Sequence, residues 1–341
     1  MAADMGIDLG TATILIYYVG KGIVLREPSV VAINKDTDKI MAVGEEAHSM
    51  IGRTPGNIVA IRPLRNGVIA DYRYTEAMLK HFLSKVCGPR AFFRPRIMVC
   101  VPSGVTSVEK KAVLEAAMQA GARKAYVIEE PLAAALGAGL DISGPSANMV
   151  VDIGGGTTDV AVLALGGIVV KESIRVGGDK LDEDIGRYVK RNFNVMIGER
   201  TTETAKIAIG TVKPGHRNLS MEVRGRDMLT GLPRTVLLTS NDIYEATKDT
   251  VAEIIAATRR VLERTPPELA ADIVDKGIVL TGGGSLTDGI DLVMAEETGV
   301  PVQVAEDPVS CVAIGAGLAL SYPQVHQDHL EIFPRVMWAP R

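Results

Sequence analysis

Apolar residues recur along the chain in two patterns. Short apolar runs bounded by Gly, Asp or Pro predict strands, the first of which cover residues 5–19, 22–25 and 29–33. Apolar residues three and four positions apart predict helices, which include 75–86, 106–121 and 241–264. The hairpin pattern starts again near Asn148, which indicates a second half built like the first. Strand hairpins followed by strand–helix alternation predict an α/β fold with mixed sheets.

Polar residues mark the ends of two of these helices. Thr75 is expected to cap the helix over 75–86, which Gly88 then ends. Thr106 and Glu109 form a capping-box pattern for the next helix. The side chain of a threonine is therefore expected to cap the N-terminus of each helix.

Length and composition limit the class of protein. With 341 residues the chain exceeds what one hydrophobic core usually serves, so two domains are expected. The net charge of -4 argues against a broad nucleic-acid surface, and no nucleic-acid partner is expected. No apolar stretch has transmembrane length, and the first strand follows Met1 too closely for a signal peptide. Three cysteines without a CxxC pair are typical of a reducing cytoplasm.

Three glycine-rich turns carry the candidate chemistry. Asp8 precedes Gly10, and Asp152 precedes the glycine run 154–156, each at the end of an apolar strand-like run. A third glycine run, 282–284, follows another predicted strand. Such turns let backbone N–H groups approach a phosphate, and the Asp can reach a Mg²⁺ on that phosphate through water. One such turn is usually only a turn, but the repeat half a chain apart indicates two halves that face one nucleotide.

Glu130 is the candidate for acting on a water molecule. Pro131 biases Glu130 away from the helical region and suits the first helical position, so Glu130 is expected at the N-cap end of a helix through Ala138. The helix dipole there favours an ionised carboxylate, which can orient an attacking water or accept its proton. On the residues alone, a plain capping carboxylate is the simpler interpretation.

A long series of motifs in fixed order adds a family resemblance. The motifs lie at 6–10, 22–32, 52–57, 129–131, 151–159, 198–201, 224–227 and 263–269. In this order they resemble the MreB/Mbl family of bacterial actins, within the actin/Hsp70/sugar-kinase superfamily. The resemblance covers about residues 5–320.

The resemblance implies an actin-like ATPase fold. Two similar domains, each with a mixed sheet and helices, would hold a nucleotide in the cleft between them. The expected subdomains are IA at 1–32, 66–144 and 318–341, IB at 33–65, IIA at 145–181 and 246–317, and IIB at 182–245.

The resemblance also implies roles for individual residues. Asp8 and Asp152 would hold magnesium through water, and Glu130 and Thr157 would be the catalytic pair that positions the attacking water. The nucleotide-binding residues would be Gly10, Thr11, Ala12, Gly154, Gly155, Gly156, Gly178, Asp179, Glu203, Lys206, Gly282, Gly283 and Gly284. The expected cofactors are ATP and Mg²⁺, and the expected reaction is attack of water on the γ-phosphate.

Two segments depart from the family's pattern. Thr13 stands where these hairpins usually have Asn. The resemblance therefore does not decide whether the side chain at position 13 contacts a phosphate. The tail, 321–341, is unlike the family and has no clear period, so a partly ordered extension with no assigned role is expected. His326 and His329 in this tail have metal-like spacing but no evident third ligand, and a solvated tail is the better interpretation.

A candidate membrane contact lies between the first predicted helix and the strand after it. Phe92 and Phe93 are adjacent in a Pro-bounded loop, flanked by Arg90, Arg94 and Arg96. An aromatic tip with basic neighbours suits shallow insertion beside anionic headgroups. A loop folded back onto its own core is the alternative, and the family's use of a hydrophobic loop here favours the membrane.

A candidate filament contact lies on the helix over 107–120. The family counterpart of this helix forms the antiparallel contact between protofilaments, with Val108 as the expected apolar centre. An ordinary surface valine, which needs no special role, is the alternative.

Taken with these points, the family resemblance implies a cytoplasmic, membrane-associated ATPase that forms filaments and maintains rod cell shape by organising cell-wall synthesis. Its expected partners are copies of itself in paired protofilaments, the inner face of the cytoplasmic membrane, and membrane proteins of the cell-wall elongation machinery. The alternatives on the same fold are a chaperone-type ATPase, which needs a long substrate-binding region, and a small-molecule kinase, which needs a catalytic Asp in a deep cleft. We expect no residues to remain for a substrate-binding region, and the sequence shows no strong candidate for the catalytic Asp. It also has no P-loop or GxGxxG motif.

Overall fold

The computed structural model describes residues 4–88, 94–321 and 331–333. The strands are β1 (Asp4–Leu9), β2 (Thr13–Tyr18), β3 (Gly22–Pro28), β4 (Val31–Asn34), β5 (Lys39–Val43), β6 (Ile58–Ile61), β7 (Leu64–Arg65), β8 (Val68–Ile69), β9 (Arg96–Val101), β10 (Lys124–Glu129), β11 (Asn148–Ile153), β12 (Thr158–Ala164), β13 (Gly167–Ile174), β14 (Val195–Met196), β15 (Ser220–Asp227), β16 (Pro233–Thr239), β17 (Ile278–Thr281), β18 (Val302–Val304) and β19 (Glu331–Phe333). The α-helices are α1 (Glu45–Ser49), α2 (Tyr72–Cys87), α3 (Ser107–Gln119), α4 (Glu130–Gly137), α5 (Gly178–Phe193), α6 (Glu199–Ile209), α7 (Ser240–Arg264), α8 (Pro267–Lys276), α9 (Ile290–Thr298) and α10 (Cys311–Ala319). A 3-10 turn follows β17 at Gly283–Leu286.

Two large sheets share one plan. The first has the strand order β19-β10-β9-β1-β2-β3, and the second has the order β13-β12-β11-β17-β18. In the first sheet β1, β2 and β3 are antiparallel neighbours, and β9 runs parallel to β1. In the second sheet β11, β12 and β13 are antiparallel neighbours, and β17 runs parallel to β11. The second half therefore repeats the first, and the predicted α/β fold with two mixed sheets is confirmed.

Three smaller sheets extend from this frame. They are β5-β4-β6, β14-β15-β16 and the pair β7-β8. The sheet β14-β15-β16 packs with α5 and α6 around a separate apolar cluster that includes Ile185, Val195 and Ile209. The proposed boundaries of four subdomains stay a prediction.

Helices α4 and α10 pack between the two large sheets. Apolar side chains from both sheets and both helices form one buried cluster. A Cβ on Gly137 would overlap the Cys311 carbonyl oxygen, and a Cβ on Gly315 would overlap the Ala133 carbonyl oxygen. Only glycine permits this close approach of the two helix backbones. Because the helix pair contacts both sheets, it fixes how the two halves face each other.

The N-termini of α2 and α3 test the two capping predictions. As predicted, the Thr106 hydroxyl accepts from the Glu109 N–H at 3.2 Å, and the Glu109 carboxylate accepts from the Thr106 N–H at 2.7 Å. Thr75 does not cap α2, and that prediction is wrong. The Asp71 side chain accepts from the Tyr74 N–H at 3.1 Å, while the Thr75 hydroxyl donates to the Asp71 carbonyl oxygen. The helix begins one turn earlier than predicted because Asp is as good an N-cap as Thr.

Part of the tail belongs to the first sheet. Strand β19 lies antiparallel to β10, with Ile332 opposite Tyr126. It covers an edge of β10 that would otherwise present unpaired backbone groups. Residues 322–330 and 334–341, and with them His326 and His329, lie outside the described residues.

The α4–α10 contact predicts a strong effect of one methyl group. Gly315→Ala should destabilise the protein by about 3 kcal/mol, the upper range for overpacking, because backbone rather than a flexible side chain must move. Gly144→Ala is the matched control, since a Cβ there meets nothing within 4 Å. Thermal or urea unfolding measures both variants, and equal effects of the two substitutions would contradict the packing argument.

Candidate functional site

A cleft with a volume of about 400 Å³ lies where the β1–β2 turn faces the β11–β12 turn. Its size falls in the range of small-molecule sites. All residues predicted to bind nucleotide, magnesium or the attacking water line this cleft: Asp8, Gly10, Thr11, Ala12, Glu130, Asp152, Gly154, Gly155, Gly156, Thr157, Gly178, Asp179, Glu203, Lys206, Gly282, Gly283 and Gly284. Thr13, the departure from the family's pattern, also lines it.

The two glycine turns lie against each other across the cleft. A Cβ on Gly155 would stand 2.8 Å from the Ala12 Cβ, closer than side chains pack. The second turn is tight, with the Gly154 N–H donating to the Thr157 carbonyl oxygen at 2.9 Å. In the first turn the Ser29 hydroxyl donates to the Gly10 carbonyl oxygen at 2.7 Å. Two backbone turns thus face the same space from opposite halves of the molecule.

A third turn, not predicted from the sequence, closes over the first two. Asn66 and Gly67 connect β7 to β8 with φ angles of 51° and 74°, as in the type I′ hairpins that favour Asn-Gly. The Gly67 N–H donates to the Thr11 hydroxyl oxygen at 2.9 Å. The Asn-Gly pair signals a hairpin in the sequence, but nothing local signals that the hairpin reaches Thr11.

Three carboxylates of the cleft, Asp8, Glu130 and Asp152, lie among the described residues without a basic partner. Glu130 and Asp152 are buried, and Asp8 opens partly onto the cleft. Burial raises the pKa of Asp8 to about 8, and repulsion from Asp152 adds to the rise. Burial likewise raises the pKa of Asp152 to about 6. The Thr281 hydroxyl donates a hydrogen bond of 2.7 Å to Asp152 and partly offsets this rise. Within the described residues no Lys or Arg forms an ion pair with Asp8, Glu130 or Asp152.

This arrangement fits a divalent cation held at a distance. Adjacent buried carboxylates favour a bound cation because it offsets both their desolvation and their mutual repulsion. Over residues 4–88, 94–321 and 331–333, no three His, Cys, Asp or Glu side chains are grouped closely enough to hold a metal ion directly. Contact through water, as predicted for Asp8 and Asp152, is compatible with this geometry.

Glu130 is the first residue of α4 rather than its N-cap. Glu129 is the N-cap residue, without a side-chain capping bond, and Pro131 occupies the first turn. Burial raises the pKa of Glu130 well above its ordinary value, and nearby carboxylates raise it further. The Glu130 carboxylate is thus a buried group on the wall of the cleft, and the capping interpretation is not supported.

The N-terminus of α5 and a lysine of α6 form the other end of the cleft. The Gly178 and Asp179 N–H groups donate to the Gly154 and Gly155 carbonyl oxygens at 2.9 and 2.8 Å. The Lys206 ammonium group donates to the Gly178 carbonyl oxygen at 3.1 Å and pairs with Asp182 at 2.8 Å. Asp182 also lines the cleft and was not predicted. It lies one helical turn after Asp179, a spacing that places both on one face of α5.

One ion pair bridges the outer part of the cleft. The Arg62 guanidinium, at the end of β6, donates to Glu199 on α6 at 3.0 Å from Nε and 2.6 Å from Nη2. Nearby, the Arg200 guanidinium donates to the Ser49 carbonyl oxygen at 3.4 Å. These partners are far apart in the chain, so the sequence carries no local signal for them. They hold the sheet of β4, β5 and β6 against α6.

The predicted filament residue lies apart from the cleft. Val108, on the first turn of α3, is 76% exposed. Phe92 and Phe93 lie outside the described residues. Arg94 is exposed, whereas the Arg96 guanidinium pairs with Asp4, its Nε donating at 2.7 Å. Across the described parts of the chain, no helix combines the length and apolar character needed to cross a bilayer.

Comparison with known proteins assigns the family. A model described as MreB/Mbl protein matches residues 2–328. The cell shape-determining protein Mbl of Bacillus cereus is 59% identical over 319 residues, which covers 94% of this chain and 96% of the relative. The chain belongs to the MreB/Mbl family. The cell shape-determining protein MreB of Escherichia coli K12, another relative of this MreB/Mbl-family chain, is 53% identical over 333 residues and 96% of each protein.

Solved structures share the fold of this MreB/Mbl-family chain. MreB5 of Spiroplasma citri bound to AMPPNP aligns with a TM-score of 0.89 at 37% identity, over 94% of this chain and 96% of that one. The same protein bound to ADP aligns with a TM-score of 0.89, over 94% and 97% of the two chains. The MamK double helical filament aligns with a TM-score of 0.80 at 23% identity, over 94% and 99% of the chains, and shows the fold alone.

The raised pKa of Asp8 predicts how stability varies with pH in the ligand-free protein. Its pKa of about 8 lies above the ordinary value of 3.8, so between these values the folded state binds the proton more tightly than the unfolded state. Stability should therefore fall as the pH rises from about 5 to about 8, and Asp8→Asn should flatten that fall.

Asp227→Asn is the matched control for this prediction. The N–H groups of Thr230 and Leu229 and the Arg234 guanidinium lower the pKa of Asp227 to about 2, so its stabilising charge persists throughout this range. The control should lower stability without changing the slope above about pH 5. Thermal unfolding across this range measures both variants, and a wild-type slope in Asp8→Asn would contradict the assignment.

Proposed function

We propose that this chain is an ATP-dependent filament protein that associates with the cytoplasmic membrane and helps to maintain rod cell shape by organising cell-wall synthesis. The observation that carries the proposal is the group of buried acids between two glycine turns in a chain of the MreB/Mbl family. The names of its relatives, cell shape-determining proteins Mbl and MreB, support a cytoskeletal role. The nucleotides bound by MreB5 support a nucleotide ligand for the same fold.

The two glycine turns would hold the phosphates of ATP. The turns at 10–12 and 154–156 approach from opposite halves, and backbone N–H groups of such turns bind phosphate oxygens. Mg²⁺, held through water by Asp8 and Asp152, would neutralise phosphate charge. The ribose and base would extend towards Gly178, Asp179, Glu203 and Lys206. Gly282, Gly283 and Gly284 would form the floor beneath them.

Glu130 and Thr157 would act on the attacking water. Both side chains line the cleft and are buried, with 8% and 6% exposure. The oxygen of the water bonds to the γ-phosphorus as the bond from that phosphorus to the leaving ADP oxygen breaks, and the proton of the water passes to Glu130. Burial and the neighbouring carboxylates raise the pKa of Glu130, which makes its carboxylate a stronger base towards that proton.

The membrane would be contacted by the loop that carries Phe92 and Phe93. Arg94 is exposed beside this loop and is placed to meet anionic headgroups. Arg96 is less suited to that role than the sequence indicated, because its guanidinium already pairs with Asp4. A filament presents many such loops at once, so polymerisation would strengthen membrane binding without any new contact.

The filament contact would include the exposed face of α3. Val108 is highly exposed on the first turn of this helix, which is compatible with an apolar centre between protofilaments. The expected partners are copies of this chain in paired protofilaments, and membrane proteins of the cell-wall elongation machinery.

If Glu130 acts on the attacking water, its substitution should lower the rate of ATP hydrolysis without changing ATP affinity. Glu130→Gln keeps the size of the side chain but cannot accept the proton, so kcat for ATP hydrolysis should fall by about 10²–10⁴-fold. ATP affinity should stay close to that of the wild type, and Thr157→Ala should change kcat in the same direction. Phosphate release and calorimetry measure the two quantities. Wild-type turnover in Glu130→Gln would remove this residue from the chemistry.

The filament prediction is tested by electron microscopy on anionic lipid with ATP. Wild-type protein should form paired filaments on the lipid. Val108→Glu should abolish the pairing, because the contact would bury an unpaired charge. Val169→Glu, at another exposed valine, is the control and should leave the pairs intact. Paired filaments of Val108→Glu would exclude Val108 from the contact, and wild type without filaments would contradict the proposed function.

A further inference from the structure

The segment after β19, residues 334–341, has no role in the function described so far. It reads Pro-Arg-Val-Met-Trp-Ala-Pro-Arg, so its apolar centre around Trp338 is flanked by Arg335 and Arg341, and it contains no Asp or Glu. Tryptophan favours the boundary between water and lipid, and nearby arginines attract anionic headgroups. The composition of this segment therefore suits the surface of a membrane.

The pairing of β19 fixes the point at which this segment leaves the first sheet. Strand β19 is antiparallel to β10, with Phe333 opposite Ala125. The chain therefore leaves β19 in the direction of Lys124, the first residue of β10. Residues 334–341 thus start at the end of the sheet where β10 begins.

The proposed membrane loop leaves the same end of the sheet. Strand β9 is parallel to β10, with Arg96 opposite Lys124, and the loop directly precedes β9 in the chain. Because β19 and β9 are the two neighbours of β10, they are about 10 Å apart. From Phe333 to Trp338 the chain can span at most about 17 Å. A bilayer that accepts the loop therefore lies within reach of Trp338.

Exposed cations surround this end of the sheet. Arg94 lies just before β9, and Arg123 and Lys124 lie at the start of β10; all three residues are exposed. The Arg123 N–H donates to the Pro95 carbonyl oxygen at 2.8 Å, which holds the segments before β9 and β10 together. Lys21, in the turn between β2 and β3, is exposed at the same end. This surface is complementary to anionic headgroups.

The charge of these cations is not neutralised by neighbouring acids. Within the part of the chain that the structure describes, none of the four forms an ion pair. Asp4, an acid at the same end of the sheet, is already paired with Arg96. The four charges are therefore available to an anionic partner.

We propose that residues 334–341 form a second membrane contact, in which Trp338 inserts at the lipid surface beside Arg94, Arg123 and Lys124. The partner is a bilayer with anionic headgroups. The inference rests on the proposed membrane association and adds a second apolar anchor to the proposed loop. Stable attachment of a peripheral protein usually takes two such signals. Two anchors at one end of the sheet also orient each subunit, with this end towards the bilayer.

The fluorescence of Trp338 gives a direct test. Trp338 is the only tryptophan of the chain, so the emission of the wild-type protein reports on this position alone. Vesicles of equal parts phosphatidylglycerol and phosphatidylcholine, with Mg²⁺ and ATP, should shift the emission to shorter wavelength. Bromine atoms on the acyl chains of these vesicles should quench it. Emission that brominated lipid does not quench, although the protein is bound, would overturn the inference and indicate packing against protein instead.

Substitution of Trp338 tests its contribution to binding. Trp338→Ser should lower the affinity for the anionic vesicles at least about tenfold, the order expected from loss of a buried aromatic ring, whereas Trp338→Phe should keep most of it. The melting temperature of Trp338→Ser should equal that of the wild type, because the ring contacts lipid rather than the protein core. Leu229→Ser, at an 81% exposed position in the turn between β15 and β16, is the matched control and should bind like the wild type.

A pair of charge variants tests the cations beside Trp338. Arg123→Gln combined with Lys124→Gln should lower vesicle affinity about 25-fold, since each cation near an anionic surface contributes about fivefold. Lys35→Gln combined with Lys39→Gln removes the same charge from exposed positions around β4 and β5 and should leave the affinity unchanged. Equal losses in the two double variants would contradict the place of Arg123 and Lys124 in the contact.

The loop variants separate this inference from the proposed function. Wild-type vesicle affinity in Trp338→Ser, with affinity lost when Phe92 and Phe93 are replaced by Ser, would overturn the second contact and leave the proposed membrane loop intact. A wild-type protein that does not bind anionic vesicles would overturn both.

Discussion

The close packing of α4 on α10 is the constraint on which the cleft depends. This helix pair lies between the two large sheets, and Gly137 and Gly315 let the helix backbones come into contact. The same packing holds the N-terminus of α4, and thus Glu130, where the β1–β2 and β11–β12 turns meet. A change in the separation of the helices would move the two turns relative to each other and to Glu130. The geometry of the site is therefore set by helix packing remote from the two glycine turns.

Electrostatic repulsion is the cost of this arrangement. Asp8, Glu130, Asp152 and Asp159 converge from two halves of the chain, and burial raises the pKa of each. A ligand that brings a cation to these acids would bind the folded protein selectively and so stabilise it. Nucleotide binding and stability would then be linked. The Arg62–Glu199 pair joins the two sides of the outer cleft directly.

Local signals in the sequence were sufficient for the frame and for much of the candidate site. The Thr106–Glu109 capping box and the glycine turns each involve only a few consecutive residues, so their geometry can be predicted from the local sequence. The placement of Thr75 failed because Asp71 offers an equally good cap one turn earlier. Two competing caps cannot be separated without the packing of the helix.

Long-range features could not be predicted, because register and packing create them. Asp159 belongs to the same motif as Asp152, yet only the register of β11 and β12 shows that the two carboxylates are opposed. The Asn66-Gly67 hairpin is visible as a turn, but its hydrogen bond to Thr11 depends on the tertiary fold. Arg62 and Glu199 meet only after both halves have assembled.

A crystal structure of this protein with Mg²⁺ and AMPPNP would show whether the two halves hold a magnesium nucleotide between their glycine turns. We expect phosphates between the turns at 10–12 and 154–156, a cation linked through water to Asp8 and Asp152, and Glu130 directed to the γ-phosphate. Phosphates bound elsewhere, or no nucleotide in the cleft at saturating concentration, would contradict this arrangement.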